Sequence, residues 1–448
     1  MSTLQAALAA PAQAVPAQAV PAQAALAAPA LAALAAPATQ RSTNTSSDHS
    51  LSYQPHELLV VGMDQTALSN VRQLGFEATY VTGDGDAVFP ITRLKVPAGT
   101  DTLTALRTLK LALPGQIVAL NSLYRLYNGA SGVDEPAEAP GAGGSCTSEA
   151  CRPWTVIGWK SYLRGCSSGL RVGMIDTGID TTHPSLAGGA AAARIVTEEF
   201  HLPHKKPAAS THGTAVASLL IGDARQGVAG LVPDVTLYAA DTFYADGNQS
   251  VTDTFSLLKA IDWMRSKHVR IVNMSFSGPD DPLLKAAIAQ SIEEGMVIVA
   301  AAGNDGADAP AAYPAAYPNV IAVTAVTADL KPYQRANHGF YISLSAPGVH
   351  IWTAAGHGKG AFESGTSFAA PYVTAIAATL LGSIGRTANA GEILQSIKVK
   401  DLGEPDKDPV FGRGLALAPK LTPADCDSGR TAERLRWVDG TVVASGAQ

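Results

Sequence analysis

The sequence of 448 residues has few charged side chains, no marked excess of either sign and no long apolar run. Only 16% of its residues are charged, well below the roughly 25% of an ordinary soluble protein. Its 38 acidic and 32 basic residues give a formal charge of −6, and the densest basic cluster is Lys205-Lys206. We therefore exclude a general nucleic-acid binder, which would carry a basic stripe. Because no stretch of about 20 unbroken apolar residues occurs, we expect no membrane-spanning helix.

Charge is missing altogether from the first 40 residues, which hold 19 Ala and 5 Pro. Pro-Ala-Gln-Ala recurs at residues 11, 16 and 21, and proline at that spacing prevents a long helix. Bulky side chains are too few to bury a core, so we predict a low-complexity leader over residues 1–50. Ala24–Ala38 is apolar like an export signal, but no Lys or Arg precedes it. A cleaved signal and a flexible spacer both stay open.

Cysteine is sparse, with four residues: Cys146, Cys151, Cys166 and Cys426. An even, low count fits one or two disulfides in an exported protein, although four cysteines allow three pairings and reduced thiols are the alternative. No Cys-x-x-Cys spacing occurs, so we predict no structural zinc site. We expect an extracellular or periplasmic protein.

Residues 51–126 alternate between strand and helix patterns in the order βαββαβ. This order predicts a small α+β unit of the ferredoxin-like type, followed by a linker over residues 127–152 that is rich in Gly, Ala, Pro and Glu. The predicted strands are Glu57–Val61, Glu77–Val81, Ile91–Val96 and Gln116–Leu120, and the predicted helices are Gln65–Leu74 and a second one capped by Asp101.

Residues 153–420 form a second, larger unit whose strands are apolar throughout. Continuous apolarity indicates strands buried on both faces, as in a parallel sheet with helices on either side. Residues 421–448 are predicted as a polar tail. The predicted strands are Leu170–Ile175, Val235–Ala239, Arg270–Met274, Met296–Ala301 and Val320–Val326, and the predicted helices include Val251–Ser266 and Leu283–Glu294.

Three short motifs in this unit carry chemistry. Asp176 directly follows a buried strand, at the edge where α/β sheets build their sites. His212 stands near the start of a helix, and Ser367 precedes the apolar helix Phe368–Leu381. A helix N-terminus favours developing negative charge. Asp, His and Ser are the parts of an acyl-transfer triad.

Asn304 adds a possible donor for the negatively charged oxygen of that reaction. It lies in the Gly-flanked loop Ala301–Gly306, where a substrate can approach closely. Taken singly, these signals are weak, because Asp-Thr-Gly and Gly-Asn-Asp-Gly are often turns and a Ser at a helix start is often only a cap. Their joint occurrence in this order favours catalysis.

The order Asp…His…Ser is that of subtilisin, and the sequence resembles the subtilisin-like serine protease (subtilase) family from about residue 155 to about residue 420. The resemblance implies an endopeptidase with a three-layer α/β fold around a mainly parallel, seven-stranded sheet. It also implies a zymogen, whose βαββαβ unit is an inhibitory, chaperone-like pro-domain. Because an exposed linker follows this unit, we expect self-cleavage between Leu123 and Cys151. The matching motifs are Asp176–Asp180, His212–Thr214, Val272–Ser275, Ala302–Asn304, Tyr317–Pro318, Val320–Val323, Ser345–Gly348 and Gly365–Pro371.

Residue roles follow from the same resemblance. Asp176 would orient His212, His212 would act as general base and then general acid, and Ser367 would be the nucleophile. Asn304 and the Ser367 backbone N–H would form the oxyanion hole. Protein or peptide substrates would add as a strand beside the pocket. The implied substrate-binding residues are Ser275, Phe276, Ser277, Gly278, Ala302 and Gly303.

The sequence departs from the family pattern at a few positions. Ala215 stands where the family often has a second His, and Ser218 where it often has Gly. Ile221–Gly230 is short where many relatives have an Asn-rich calcium loop, which puts the usual calcium site in doubt. We expect no required cofactor and no metal in the catalytic site. The alternative function is a non-enzymatic binding protein on a degenerate protease fold.

Overall fold

The fold is known from a computed structural model. The leader 1–50, most of the predicted linker and Cys146 lie outside the residues it describes, as does most of the predicted tail. The described residues are 52–81, 90–126, 149–188, 194–202, 204–384 and 387–426, together with the paired strands Leu435–Val438 and Thr441–Ala444.

The N-terminal module (residues 53–126) has the predicted element order βαββαβ. Its strands pair antiparallel in the order β2-β3-β1-β4. Helices α1 and α2 begin after Asp64 and Asp101, whose carboxylates accept hydrogen bonds from backbone N–H groups of the first turn. The elements are β1 Tyr53–Val61, α1 Gln65–Gln73, β2 Glu77–Val81, β3 Ile91–Lys95, α2 Thr102–Ala112 and β4 Val118–Arg125.

The sheet of this module is apolar on both faces. Leu58 and Val60 pack with the two module helices, whereas Leu59 between them joins a cluster formed mostly by the rest of the chain. The alternation follows from the two-residue period of a strand. Burying a large apolar side chain contributes about 1.5–3 kcal/mol, so the second face stabilises the module only while it stays docked.

The main body (residues 149–426) is built on a nine-stranded sheet. Seven neighbouring strands of this sheet are parallel, as predicted, and two short strands extend the sheet at one edge. The strands, in spatial order, are β16 Val399–Lys400, β17 Leu415–Ala416, β13 Leu344–Pro347, β12 Ile321–Val326, β11 Val297–Ala301, β10 Ile271–Met274, β5 Arg171–Asp176, β7 Thr236–Asp241 and β6 Ile195–Glu199.

Helices cover both faces of this sheet, which gives the predicted three layers. Val299 in β11 belongs to an apolar cluster on one face of the sheet, and the adjacent Ile298 belongs to a second apolar cluster on the other face. Each cluster includes residues of the helices that cover that face. The helices are α3 Arg152–Ile157, α4 Pro184–Ala187, α5 Thr211–Ile221, α6 Thr254–Ser266, α7 Pro282–Glu293, α8 Thr366–Ile384 and α9 Ala390–Ser396, with single 3-10 turns at Glu149–Cys151, Ser161–Gly165, Ala224–Gln226 and Gly356–Gly358.

Two hairpins lie outside this sheet. Strands β8 Tyr244–Asp246 and β9 Gln249–Asp253 extend the sheet of the N-terminal module, because β9 pairs antiparallel with β4. Strands β14 Ile351–Ala355 and β15 Lys359–Glu363 pair with each other directly before the helix that carries Ser367.

The β4–β9 pairing corrects two sequence predictions. Residues 251–253 were predicted as the first turn of a helix, but they are strand, and the helix begins only after Asp253 caps it by accepting from the Ser256 N–H. Strand β4 was predicted to end at Leu120 and continues to Arg125. Both differences have the same cause, the pairing of Leu123 with Asp253, which lies far along the chain. A local sequence pattern cannot predict such a long-range contact.

The three described cysteines are oxidised. Cys166 and Cys426 form a disulfide, and Cys151 is also disulfide-bonded, so the reduced-thiol alternative is wrong for these three residues. Cys426 is buried, and its bond attaches the start of the predicted tail to the main body. No helix in the described part of the chain is long and apolar enough to cross a membrane.

Candidate active site

Asp176 and His212 are brought into contact at the carboxyl edge of the parallel sheet. Asp176 is the last residue of β5 and is fully buried, and its Oδ1 lies 2.8 Å from His212 Nδ1. The Thr177 backbone N–H donates to the same oxygen at 2.7 Å. The carboxylate is therefore held in one orientation, and it fixes the imidazole with Nε2 free. Among the described residues, His212 Nε2 has no hydrogen-bond partner.

The start of α5 fits against the loop after β5 because the residue after His212 is glycine. A Cβ on Gly213 would lie 2.4 Å from the Thr177 carbonyl oxygen, closer than real Cβ atoms approach. The Gly213 N–H also donates to Thr177 Oγ1 at 2.9 Å. The His-Gly pair of the sequence motif is thus a packing requirement that places the imidazole beside Asp176.

Ser367 is the second residue of α8, as its motif predicted, and its side chain is buried at the same edge. Its hydroxyl donates to the Ser275 carbonyl oxygen at 3.1 Å, and the Ser275 hydroxyl donates to the Ser367 carbonyl oxygen at 3.0 Å. The His212 ring lies next to Phe368, with 5.5 Å between the ring centroids. The Ser367 hydroxyl is therefore bonded to Ser275 rather than to His212, and catalytic hydrogen bonds are often unformed before substrate is bound.

Asn304 lies beside Ser367, in the loop that follows β11. Its Oδ1 accepts from the Thr366 backbone N–H at 2.9 Å and from the Thr366 hydroxyl at 3.0 Å. With the carbonyl oxygen anchored, the amide NH2 of Asn304 stays available as a donor. Thr366 also accepts from the Gly303 N–H, so this threonine, which sequence reasoning did not single out, joins the two loops of the site.

The predicted substrate-binding strand is occupied by the chain itself. Ser277 and Arg125 exchange backbone hydrogen bonds of 2.9 and 3.2 Å, and the Leu126 N–H donates to the Ser250 carbonyl oxygen at 3.1 Å. On its other side the segment pairs with Tyr313 through Gly278. The end of the N-terminal module therefore lies between β9 and Ser277, as an extended strand.

The remaining predicted binding residues line or support this groove. Phe276 is buried, and its ring makes an edge contact with Tyr124, with 5.9 Å between the centroids. Gly278 leaves room for the Tyr124 ring, since a Cβ there would meet the ring at 2.4 Å. Ala302 is buried, with its carbonyl oxygen accepting from the Tyr341 hydroxyl. Gly303 has φ +108°, a conformation that favours glycine.

The pKa of His212 lies above its ordinary value of 6.5 as the result of opposing effects. Burial disfavours the charged ring and lowers the pKa, while the charge of Asp176 and its hydrogen bond raise it, and the more distant Glu363 adds to the rise. The two carboxylates therefore outweigh desolvation and stabilise an imidazolium at this position. Glu363 was not among the predicted site residues.

Comparison with known proteins agrees with this geometry. A family model described as "Subtilase family" matches residues 167–402, which is more than half of the chain. The chain belongs to the subtilase family.

Individual relatives among the subtilases are distant. Subtilisin E of Bacillus subtilis (strain 168) is 32% identical over 230 residues, which cover 50% of this chain and 58% of the relative. A minor extracellular protease of the same organism is 33% identical over 263 residues, which cover 57% of this chain and 39% of the relative. The match thus spans little more than half the length of subtilisin E.

The fold is also that of a solved structure. The crystal structure of fervidolysin from Fervidobacterium pennivorans, described as a keratinolytic enzyme related to subtilisin, superposes with a TM-score of 0.68 at 21% identity. The superposition covers 84% of this chain and 61% of that one. At this identity the likeness concerns the fold alone.

In the loop Ile221–Gly230, where many subtilases bind calcium, arginine side chains contact the oxygen atoms. Arg164 donates from Nε to the Gly230 carbonyl oxygen at 2.9 Å and from Nη2 to the Gly222 carbonyl oxygen at 3.5 Å. Asp223 is engaged by the Arg225 guanidinium at 2.8 Å. Ca²⁺ requires six to eight oxygen ligands, but here guanidinium groups take the oxygens at both ends of the loop. These residues do not fit a calcium site, and the described part of the chain holds no cluster of three acidic, His or Cys ligands.

We expect Arg164 to stabilise this loop in the role that calcium plays elsewhere. The change Arg164→Met leaves the buried Gly230 carbonyl without its donor, while the Gly222 carbonyl keeps the Gly230 N–H at 2.8 Å. An unsatisfied buried carbonyl should lower the free energy of unfolding by about 2 kcal/mol. Arg225→Met, at a side chain that is 74% exposed, is the matched control and should have little effect. Thermal unfolding of wild type and both variants measures these changes in stability, and repetition with EDTA measures any contribution of bound calcium. A large EDTA-induced fall in the wild-type midpoint would contradict the assignment.

Proposed function

We propose that the protein is a serine endopeptidase that hydrolyses peptide bonds through an acyl-enzyme formed on Ser367. The observation that carries the proposal is the 2.8 Å hydrogen bond between buried Asp176 and His212, whose ring packs against Phe368, the residue after Ser367 at the N-terminus of α8. Membership of the subtilase family supports it. The groove next to Ser367 already accommodates an extended strand of this chain, which is the form in which a peptide substrate would bind.

The reaction follows from the three side chains. His212 Nε2 takes the proton of Ser367 Oγ as that oxygen bonds to the substrate carbonyl carbon, and the carbonyl π electrons move to the oxygen. Asp176 stabilises the imidazolium. The carbon–nitrogen bond then breaks, and the leaving amine takes the proton from His212. Water, deprotonated by His212, cleaves the ester and regenerates the Ser367 hydroxyl.

Negative charge on the carbonyl oxygen is stabilised in this proposal by two donors. One is the Asn304 NH2, whose amide is oriented by Thr366, and the other is the Ser367 backbone N–H. Both are fixed before the reaction, so no reorganisation energy is needed as charge develops. The N-terminus of α8 adds its dipole at the same point.

Hydrolysis of a denatured protein tests the proposal against the binding-protein alternative. The Ser367 hydroxyl donates its hydrogen bond to the Ser275 carbonyl oxygen and not to His212. This observation favours a degenerate, non-catalytic site. We expect new peptide termini within the substrate chain, since the groove accepts an extended strand, and loss of this activity when a serine-directed inhibitor is added. Intact substrate after another protease has removed the N-terminal module would favour the binding protein.

The N-terminal module acts, in this proposal, as an inhibitor of the enzyme and is removed by self-cleavage. Arg125 pairs with Ser277 and Leu126 with Ser250, so the module blocks the groove that a substrate needs. Leu126 is the last described residue of the strand in the groove, and Ser275, two residues before Ser277, is bonded to Ser367. The scissile bond is therefore expected within residues 126–130, inside the broader interval indicated by the sequence.

N-terminal sequencing of the purified chain measures this cleavage. Wild type should give a fragment that begins within residues 127–131, whereas Ser367→Ala should remain joined to its module. The same intact N-terminus in both proteins would contradict self-cleavage. Cleavage at the same bond in both would instead assign the cut to another protease.

Export completes the proposal. The disulfide between Cys166 and Cys426 is of a kind that persists in oxidising compartments. One of the relatives is named an extracellular protease. We therefore propose an extracellular or periplasmic enzyme that acts on protein or peptide substrates and requires no cofactor.

A further inference from the structure

A cavity of about 390 Å³ opens beside His212 and is not used by the reaction as described. Its walls come from the starts of α5 and α8, the β8–β9 turn and the end of β15. Ala215 lies in the wall at the position where the family often has a second His. A side chain as small as alanine leaves this space open. Representative lining residues are His212, Ala215, Gln249, Ser250, Glu363 and Phe368.

Of the described residues that line the cavity, Glu363 is the only carboxylate, and no Lys or Arg is among them. It is the last residue of β15, and β14, which pairs with β15, is joined to α5 by a hydrogen bond from the Ala354 N–H to Ser218 Oγ at 3.0 Å. The hairpin thereby holds the carboxylate on the His212 side of the cavity. Ser218 is the second position that departs from the family pattern, and its hydroxyl makes this attachment.

The Glu363 carboxylate lacks a permanent cation. Among the described residues, no Lys or Arg forms an ion pair with it. Burial raises its pKa, and the charge of His212 partly opposes the rise. A half-buried carboxylate in an open cavity is stabilised by a cation that enters from outside.

A basic side chain of this chain already lies next to the cavity. Arg125, in the strand that fills the groove, donates from Nε to Gln249 Oε1 at 3.0 Å, and Gln249 is a lining residue. The strand runs antiparallel to β9, with Arg125 opposite Val251. Leu126 follows in the same register and donates to the carbonyl oxygen of Ser250, which is also a lining residue. A substrate strand bound in this groove would therefore present side chains along the cavity wall.

We propose that the cavity is a subsite for a basic side chain, held by Glu363, and that the enzyme prefers peptides with Lys or Arg near the scissile bond. The inference rests on the proposed peptidase function and deepens it. Glu363 acts here as a specificity residue and takes no part in bond breaking. Its partner is the ammonium or guanidinium group of the substrate.

The test uses processed enzyme and quenched peptides in which Lys, Gln or Glu occupies each of the three positions on either side of the scissile bond. A half-buried ion pair in place of a neutral contact should give Lys an advantage over Gln of about 3- to 10-fold in kcat/KM at one position. Glu363→Gln should reduce this ratio to about one, and Glu363→Lys should reverse it in favour of Glu. Glu293→Gln, at an exposed glutamate of α7, is the matched control and should keep the wild-type ratio.

The outcomes separate the two claims. Cleavage with the same Lys-to-Gln ratio in wild type and Glu363→Gln would overturn the subsite and leave the peptidase function standing. Absence of cleavage of every peptide by wild type would overturn the proposed function, and the subsite with it. The thermal unfolding midpoint of each variant establishes that a changed ratio comes from a folded protein.

Discussion

Ser367→Ala is expected to lower kcat for peptide hydrolysis by about a million-fold, a size known from subtilisin itself rather than from this geometry. Alanine has no hydroxyl to bond to the substrate carbonyl, so no acyl-enzyme forms. His212 and Asn304 keep their positions, because their partners are Asp176 and Thr366. Substrate binding should therefore persist while turnover is lost.

Measurement of this effect needs an unblocked groove, since the variant cannot remove its own module in our proposal. A trace of tagged wild-type enzyme can cut the variant in trans and then be withdrawn. Ser383→Ala is the matched control, because Ser383 lies at the opposite end of α8 and its hydroxyl bonds only within the helix. Turnover by processed Ser367→Ala within about ten-fold of wild type would contradict a nucleophilic role for Ser367.

Asp176→Asn is expected to lower kcat by about ten-thousand-fold. The amide that replaces the carboxylate carries no charge to stabilise the imidazolium. Its NH2 group, if it faces His212, would force the ring into the tautomer with the proton on Nε2. That nitrogen must be unprotonated to accept the proton of Ser367. Steady-state kinetics of processed variant and wild type measure the loss.

The pH profile gives a second readout of the same change. His212 must be neutral to accept the proton of Ser367, so kcat/KM rises with pH through the His212 pKa. The charge of Asp176 holds this pKa above 6.5. Without the negative charge the pKa falls, and the acid limb of the profile should move to lower pH. Asp180→Asn, at a carboxylate on the neighbouring turn that bonds to Thr182, should leave the limb in place. An unmoved limb in Asp176→Asn would contradict the proposed pairing.

Much of the main body could be predicted from sequence because its strands are buried on both faces. Such strands are continuous apolar runs, and five of them lie within two residues of their predicted bounds. Asp176, His212, Asn304 and Ser367 could be chosen as candidate site residues because each lies at the end of a predicted strand or the start of a predicted helix. Because these strands are parallel, their carboxyl ends lie at one edge of the sheet.

What the sequence did not predict depends on contacts between distant segments. The strand at 249–253 carries a helix-like pattern, and its pairing with β4 outweighs that preference. The two short strands at the β13 edge contain two residues each, too few to show a period. Glu363 is the last residue of the separate hairpin β14–β15, and only the folded chain places it beside the cavity at His212.

Covalent labelling by a fluorophosphonate, followed by peptide mapping of the processed wild-type protein, tests the central claim most directly. The reagent reacts with a serine only where a base and an oxyanion site activate the hydroxyl. We predict one adduct, on the peptide that contains Ser367, with loss of peptide hydrolysis in proportion to labelling. An adduct on another residue, or peptide hydrolysis that continues in protein without label, would contradict it.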